Sequence, residues 1–207
     1  MTNFIDEDYC CCCNNFITII FNLIIILLGL IAFLFRLIIQ PKVAKFTITN
    51  ASLTQFSFTN NNTLNYNFDL DITIQNPNQK LGIYYDNIKT LAFYEDARFG
   101  FQTLGTFFQH HKSTNFLNPV FIGQQVIPLS QDQILKFEKK KKDDVYGIDV
   151  KILLHGRFKL GVFKTGKVKP KVCCSLMVPL RSSNVTLMGD GFQVIDCYWD
   201  YKGILFL

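Results

Sequence analysis

Between positions 64 and 75 the chain alternates without a fault. Leu64, Tyr66, Phe68, Leu70, Ile72 and Ile74 stand against Asn65, Asn67, Asp69, Asp71, Thr73 and Gln75. Successive side chains of an extended chain point to opposite faces, so a period of two sustained over a dozen residues specifies a strand with one dry and one wet face. The same period runs through Tyr146, Ile148, Val150, Ile152 and Leu154, through Phe158, Leu160 and Val162, and through Val172, Cys174, Leu176 and Val178. It returns in Ile195, Cys197, Trp199 and Tyr201. Turn formers separate the runs: Asn76-Pro77-Asn78, Gly100, Gly105, Asn118-Pro119, Gly123, Gly156, Gly166, Pro170 and Ser182-Ser183-Asn184. No amphipathic helix interrupts this series. About seven or more short strands at such spacing predict an all-β domain, a β-sandwich of immunoglobulin or fibronectin type III architecture.

A different pattern precedes it. Residues 16–35 read FITIIFNLIIILLGLIAFLF, without a charge or a helical polar face. A bilayer core about 30 Å thick takes roughly 20 such residues as a helix. A cleaved signal peptide wants a basic leader, a shorter apolar run and a small-residue cleavage site; here Asp6-Glu7-Asp8 precedes the run and Arg36-Leu37-Ile38-Ile39-Gln40-Pro41 follows it. The reading is an uncleaved anchor. The expected organisation is a cysteine-rich tail at 1–15, a single membrane-spanning helix at 16–39 and a β-sandwich at 40–207, whose first dozen residues, 40–51, serve as a connector.

The formal charge of +5 is concentrated, since Lys139-Lys140-Lys141-Lys142 supplies four of the positive charges. Followed at once by Asp143-Asp144, that run reads as a solvated loop. Nucleic-acid binding wants basic residues spread over one face among aromatics, and the sequence offers no such layout. Cys10, Cys11, Cys12 and Cys13 adjoin the apolar run. Zinc sites separate ligand pairs by two to four residues, so these four suit S-palmitoylation beside a membrane better than a metal, with unmodified thiols as the alternative. His110 and His111 are neighbours whose side chains point apart in extended chain. Asp69 and Asp71 lie on a wet strand face, where carboxylates are solvated. Hydrolase and nucleotide-binding motifs are missing, so the chain is expected to be no enzyme, without metal or cofactor.

The break at Asn76-Pro77-Asn78 has its own logic. Pro77 lacks an N–H and cannot join a central ladder, and the residue before it is held extended. Asparagine on either side bonds to the local backbone and tolerates left-handed dihedrals. The motif therefore ends or bulges one strand, and Gly82-Ile83-Tyr84-Tyr85-Asp86 begins the next on a new register. A structural role is the first reading. The second is a partner-binding loop, with Tyr84 and Tyr85 as aromatic anchors that carry a polar tip.

Several pieces in order now carry a resemblance: Ile74-Gln75-Asn76-Pro77-Asn78, Gly82-Ile83-Tyr84-Tyr85-Asp86, Ala92-Phe93-Tyr94-Glu95-Asp96-Ala97-Arg98-Phe99, Phe107-Phe108-Gln109-His110-His111-Lys112-Ser113-Thr114, Phe121-Ile122-Gly123-Gln124-Gln125, Arg157-Phe158-Lys159-Leu160-Gly161 and Cys174-Ser175-Leu176-Met177-Val178-Pro179-Leu180. Over most of 41–201 the chain is similar to the plant family of membrane-anchored proteins related to harpin-induced and race-non-specific disease-resistance proteins, whose extracytoplasmic part is a late embryogenesis abundant group-two domain. The resemblance implies a role in defence or stress at the plasma membrane, with the N-terminus cytosolic and the sandwich extracellular, and it implies no catalysis. Members often carry basic residues before the span and Arg-Pro after it; this chain has Asp6-Glu7-Asp8 and Gln40-Pro41.

That departure bears on orientation. Lys and Arg beside a span favour the cytoplasm, and Arg36, Lys42 and Lys45 all follow this one, which would put the sandwich inside. Membrane-proximal thiols and Asn-x-Ser/Thr sequons at Asn50, Asn61 and Asn184 favour an external domain, the expectation adopted. Cys174 and Cys197 stand where similar members carry cysteine; an external compartment permits a disulfide between them, and two buried free thiols are the alternative. The leading functional expectation is a single-pass, non-catalytic binding module for a protein or cell-wall partner, with a homo-oligomer as a further partner class. A lipid-binding or membrane-protective stress domain is the alternative, favoured by the run of Phe56, Phe58, Phe93, Phe99, Phe101, Phe107, Phe108 and Phe121.

Overall fold

The faultless alternation becomes strand β2, Thr63–Gln75, every second residue of which from Leu64 to Ile74 is buried. In the computed structural model, residues 8–39, 42–59, 62–141, 144–181 and 192–200 are described, and the side chains of 8–15 and 35–39 lie outside that description. The chain falls into two units, Met1–Pro41 and Lys42–Leu207. The first holds helix α1, Asp8–Ile39. Its stretch Phe16–Leu34, 19 residues, is long and apolar enough to cross a membrane, about 28 Å at 1.5 Å per residue. Its large side chains from Phe16 to Leu34 are exposed.

The second unit is two sheets with a shared core. One contains β2, strand β1 (Lys45–Phe58), the short strands β6 (Thr114–Leu117) and β7 (Val120–Val126), which pair in succession along one edge of β2, and β11 (Ile195–Asp196). The other runs β12 (Tyr198–Asp200), β10 (Lys171–Pro179), β8 (Val145–Leu160), β3 (Leu81–Tyr94), β4 (Ala97–Leu104), with β5 (Phe107–Gln109) extending the β4 edge and β9 (Phe163–Lys164) folding back on β8. Every pairing between these named strands is antiparallel. The all-β sandwich behind one apolar helix is therefore what the chain forms, whereas this strand order does not establish the finer immunoglobulin or fibronectin type.

Two sequence expectations need correction. The connector expected at 40–51 is already strand from Lys45 onward. Its inward residues are Phe46, Ile48, Ala51, Leu53 and Phe56, an uneven spacing restored by extra residues where the register slips between Ile48 and Asn50 and between Leu53 and Gln55. Each bulge inserts one residue and returns the following side chains to the core face. A helix also breaks the strand series: α2, Gln131–Lys140. Ser130 Oγ accepts from Gln133 N at 3.3 Å and Gln133 Oε1 accepts from Ser130 N at 2.8 Å, a reciprocal capping box. Lys139 and Lys140, expected in a loop, close the last helical turn, where cations meet the negative end of the helix dipole. Lys142 and Asp143 lie outside the described residues.

The long strands give the sandwich two ends. At the end where the chain enters, Lys42 lies beside Asn78, Lys45 pairs with Gln75 and Leu81 pairs with Leu160. At the far end, Phe93 pairs with Asp149, about 40 Å away at the rise of a β-strand. There α2 acts as a plug: Phe137 is 1% exposed and its ring lies 5.4–5.8 Å from those of Phe56, Phe58, Tyr94 and Tyr146. Of the phenylalanines counted in favour of a lipid-binding domain, Phe56, Phe99 and Phe121 are buried in this core, while Phe101 is half exposed.

Candidate functional site

Asn76-Pro77-Asn78 carries the chain from the end of β2 in one sheet to the start of β3 in the other, so the motif is a crossover between sheets rather than a bulge or a simple change of register. Both asparagines are buried, Asn76 at 0% and Asn78 at 2% exposure. Asn76 Nδ2 donates to Leu81 O (2.8 Å) and His110 O (3.0 Å), and its Oδ1 accepts from Asn78 N (3.1 Å) and Asn78 Nδ2 (2.9 Å). Asn78 Nδ2 also donates to Lys42 O (2.6 Å), and Asn78 Oδ1 accepts from Lys42 N (2.7 Å). One amide thus ties the β2–β3 crossover to the loop after β5, and the other fastens the first residue of the sandwich. Buried polar groups are stable only when paired, and an amide is the side chain that offers donors and acceptors together.

The next residues divide by face. Ile83 and Tyr85 are buried, and Tyr85 Oη donates to Gln109 Oε1 at 3.2 Å. Burial pushes the Tyr85 phenol far above its ordinary pKa. Gln109 Nε2 continues the network to Ile74 O (2.8 Å) and Ser113 O (3.0 Å). Gly82 sits under the Phe108 ring, 2.5 Å from where a Cβ would stand. Tyr84 faces outward, its ring 4.4 Å from that of Phe108. As a contact residue Tyr84 is placed to act, whereas Tyr85 would first have to leave the core.

Asp86 occupies the slip in register between Tyr85 and Asn87, and the Arg157 guanidinium grips it through Nε at 2.8 Å and Nη2 at 2.6 Å. Those bonds hold the Asp86 carboxyl below its ordinary range against an opposing effect of burial, with the charges of Arg157, Lys167 and His155 adding to them. Arg157 and Lys164 lie 5.6 and 5.0 Å from the centre of the Tyr84 ring, and Lys159 lies 5.4 Å from that of Phe108. This outer face at the entry end is aromatic beneath and cationic around, an arrangement that attracts anions.

The segment RFKLGVFKTGKVKPK at 157–171 entered the sequence analysis for its alternation and for Arg157–Gly161, but not for its charge, although six basic residues without an acidic one were legible there. Alongside it lies an apolar cavity of about 70 Å³ lined by residues that include Val43, Ala44, Phe158, Val168, Pro170 and Trp199.

Cys174 and Cys197 are joined in a disulfide, and Cys197 N also bonds to Phe46 O at 2.9 Å, extending the β1–β11 pairing. Cys173 is free and half buried, its thiol pushed up by burial and by Asp200. Asn50 Nδ2 donates to Asp71 Oδ2 at 3.1 Å. Asn61 and Asn184 lie outside the described residues, and Cys10, Cys11, Cys12 and Cys13 fall in α1 with side chains outside the description. His110 and His111 are exposed, the former edge-on to Phe108 at 4.7 Å. Asp71 Oδ1 accepts from Asn118 Nδ2 at 2.6 Å, and Glu95 pairs with Lys140 at 3.5 Å. Among the described residues, no group of three His, Cys, Asp or Glu side chains comes together as a metal site.

Residues 71–174 match the late embryogenesis abundant protein family LEA_2. The chain is 41% identical to NDR1/HIN1-like protein 10 of Arabidopsis thaliana over 194 residues, 93% of this chain and 85% of that one. It is 39% identical to NDR1/HIN1-like protein 3 of the same plant, over 89% of this chain and 81% of that one. The solution structure of another Arabidopsis thaliana protein is similar at TM-score 0.39 with 13% identity, covering 72% of this chain and 85% of that one.

Proposed function

The chain belongs to the LEA_2 family and to its NDR1/HIN1-like proteins, and from that premise we propose that it is a single-pass plasma-membrane protein of plant defence or stress that holds a non-catalytic binding module outside the cell. Family membership supports the defence or stress role, and the family is not known as catalytic. The observation that carries the anchor is α1, whose Phe16–Leu34 stretch exposes a continuous apolar surface that only hydrocarbon covers at no cost. Its backbone groups bond within the helix, as a lipid environment requires. The external orientation draws support from the Cys174–Cys197 disulfide, a bond at home in oxidising compartments. It runs against the basic residues that follow the span, Arg36, Lys42 and Lys45.

The module binds through its surface at the entry end, where Tyr84, Phe108 and the cations around them form the most chemically pronounced face. Protein and acidic cell-wall polymers fit that chemistry. A second reading, a domain that holds an apolar ligand, draws on the apolar cavity beside Trp199 and Phe158, which at about 70 Å³ would have to widen to take a lipid; purified protein should then carry lipid that extraction recovers.

Two measurements on the full chain in plant cells test the proposal. It should stay with membranes through alkaline carbonate, and its mass should fall on glycosidase treatment, by modification at Asn50, Asn61 or Asn184. Release by carbonate would remove the anchor. An unglycosylated domain protected from external protease in intact cells would place the module on the cytosolic side.

A further inference from the structure

We propose that the tip of the β8–β9 hairpin is a second membrane contact, which docks the entry end of the sandwich onto an anionic bilayer. The tip is a two-residue turn: Leu160 pairs with Phe163, leaving Gly161 and Val162 between them. Gly161 takes φ +55°, the left-handed value that a tight hairpin needs at its first central position. The turn pushes its two largest apolar side chains outward, with Val162 88% and Phe163 75% exposed, the most exposed large hydrophobic residues described in the sandwich. A folded surface gains nothing by holding adjacent valine and phenylalanine in water, and a protruding pair ringed by polar groups marks a contact site.

The surroundings name the occupant. Lys159 and Lys164 are cross-strand partners directly behind the tip, Lys167 follows on the return, and Arg157 stands beyond them. Arg157 is the one cation of this group held by an acid, Asp86; none of the described ion pairs takes Lys159, Lys164 or Lys167. An apolar tip with a collar of lysines is the chemistry of a peripheral membrane anchor: the tip enters the interfacial region and the ammonium groups meet anionic headgroups of the leaflet that the sandwich faces, which for an external module is the outer one.

Covalent connection points the same way and rests on the reading of α1 as the anchor. Lys42 is fixed by Asn78 at the same end of the sheets as Leu160. An anchored chain keeps a bilayer available to the hairpin, so even a weak tip acts at raised effective concentration.

The test uses the full chain reconstituted in vesicles containing bromine-labelled phosphatidylcholine, with or without phosphatidylglycerol. The parent chain, with Trp199 alone, gives the baseline. Phe163→Trp adds a reporter at the tip, and Leu135→Trp adds one on α2 at the far end. With phosphatidylglycerol present, the added Phe163→Trp emission should be quenched and blue-shifted, and that from Leu135→Trp should remain unquenched. Changing Lys159, Lys164 and Lys167 together to Glu in the Phe163→Trp chain should lower tip occupancy by at least about a hundredfold, at roughly fivefold per basic residue near an anionic surface. Circular dichroism checks that each variant keeps its strands. Unquenched tip emission in carbonate-resistant vesicles overturns the docking and leaves the anchor intact, while chain that carbonate strips from the vesicles overturns the anchor reading itself. Equal quenching with and without phosphatidylglycerol, or after the lysine changes, overturns the role of the collar.

Discussion

Replacing Asn76 with alanine removes four hydrogen bonds at once from a place with no solvent exposure. Two backbone carbonyls, Leu81 O and His110 O, lose a donor, and two donors on Asn78 lose an acceptor. Each buried group left unpaired costs about 1–3 kcal/mol. His110 O keeps a second donor, Ser113 Oγ at 2.7 Å, so about two or three groups bear the full cost, and Asn76→Ala should lose about 3–5 kcal/mol. Against a domain stability of about 5–15 kcal/mol that is a third or more of the total. Asn76→Asp is the sharper variant, because it keeps the shape and the acceptor half but turns a second oxygen on the two carbonyls. The introduced carboxylate is disfavoured there by burial and by its neighbours, so its folded pKa rises above the unfolded value of about 3.9. Whatever stability the protonated form of the new side chain supports is fully present below the unfolded pKa and is lost as pH rises through the folded one. The deficit of Asn76→Asp relative to the parent should therefore be smallest in acid and grow toward neutral pH, while that of Asn76→Ala stays flat. Denaturant unfolding in detergent, followed by the lone tryptophan, Trp199, measures both. A neutral-pH loss below about 1 kcal/mol in Asn76→Asp, or a deficit that widens in acid, would refute the reasoning; a loss that small lies within the net value of one ordinary hydrogen bond.

The far end yields a contrast within one helix. Phe137→Ala empties the space among Phe56, Phe58, Tyr94 and Tyr146 and should cost about 3–5 kcal/mol in the same assay, whereas Leu135→Ala, at a residue 67% exposed, should stay within about 0.5 kcal/mol; equal losses would mean that α2 does not plug the core. Asp86 should titrate below the ordinary aspartate range by carbon NMR of its carboxyl. Its contribution to stability is present above the unfolded pKa and disappears as pH falls through the lowered folded value, so Asp86→Asn should flatten that part of the acid limb; an ordinary Asp86 titration would mean that the Arg157 contact is not kept in solution.

How much could be read in advance depended on whether a residue's partners were local. β2 was legible because no bulge interrupts it, so its sequence period and its structural period coincide. β1 was not, because the insertions before Asn50 and before Gln55 shift the inward set twice and the alternation appears broken. α2 escaped because a ten-residue helix that buries only Phe137 has almost no apolar stripe to detect; the signal was the Ser130-x-x-Gln133 cap, and the lysine run at its end drew the reading toward a loop. Pro77 announced the end of a strand from its own chemistry. That the next strand joins the opposite sheet had no local signal, since Asn76 and Asn78 find their fixing partners at His110 and Lys42, 34 and 36 residues away. The adjacent pair Tyr84 and Tyr85 had to face opposite ways in a strand, but which one faced water was decided by Gln109, also distant in sequence.

The two ends of the sandwich are built on opposite plans. At the far end apolar rings from both sheets are covered by α2, and the turn before β4 is closed by Glu95 and Asp96 at φ +46° and +64°, the paired left-handed residues of a tight hairpin. Glu95 is further tied to Lys136 and Lys140 on α2. At the entry end the core is closed by polar fasteners instead, Asn76, Asn78 and Gln109, whose hydrogen bonds have direction and hold Lys42, the crossover and the loop after β5 in one arrangement. Apolar packing tolerates small slides, whereas a shared set of short amide bonds does not. The stiff end is thus the one that receives the chain from the apolar helix and carries Tyr84, Phe108 and the lysine-collared tip. The buried asparagines supply that stiffness where the sandwich begins, at Lys42, and so hold the surface proposed for binding in one geometry.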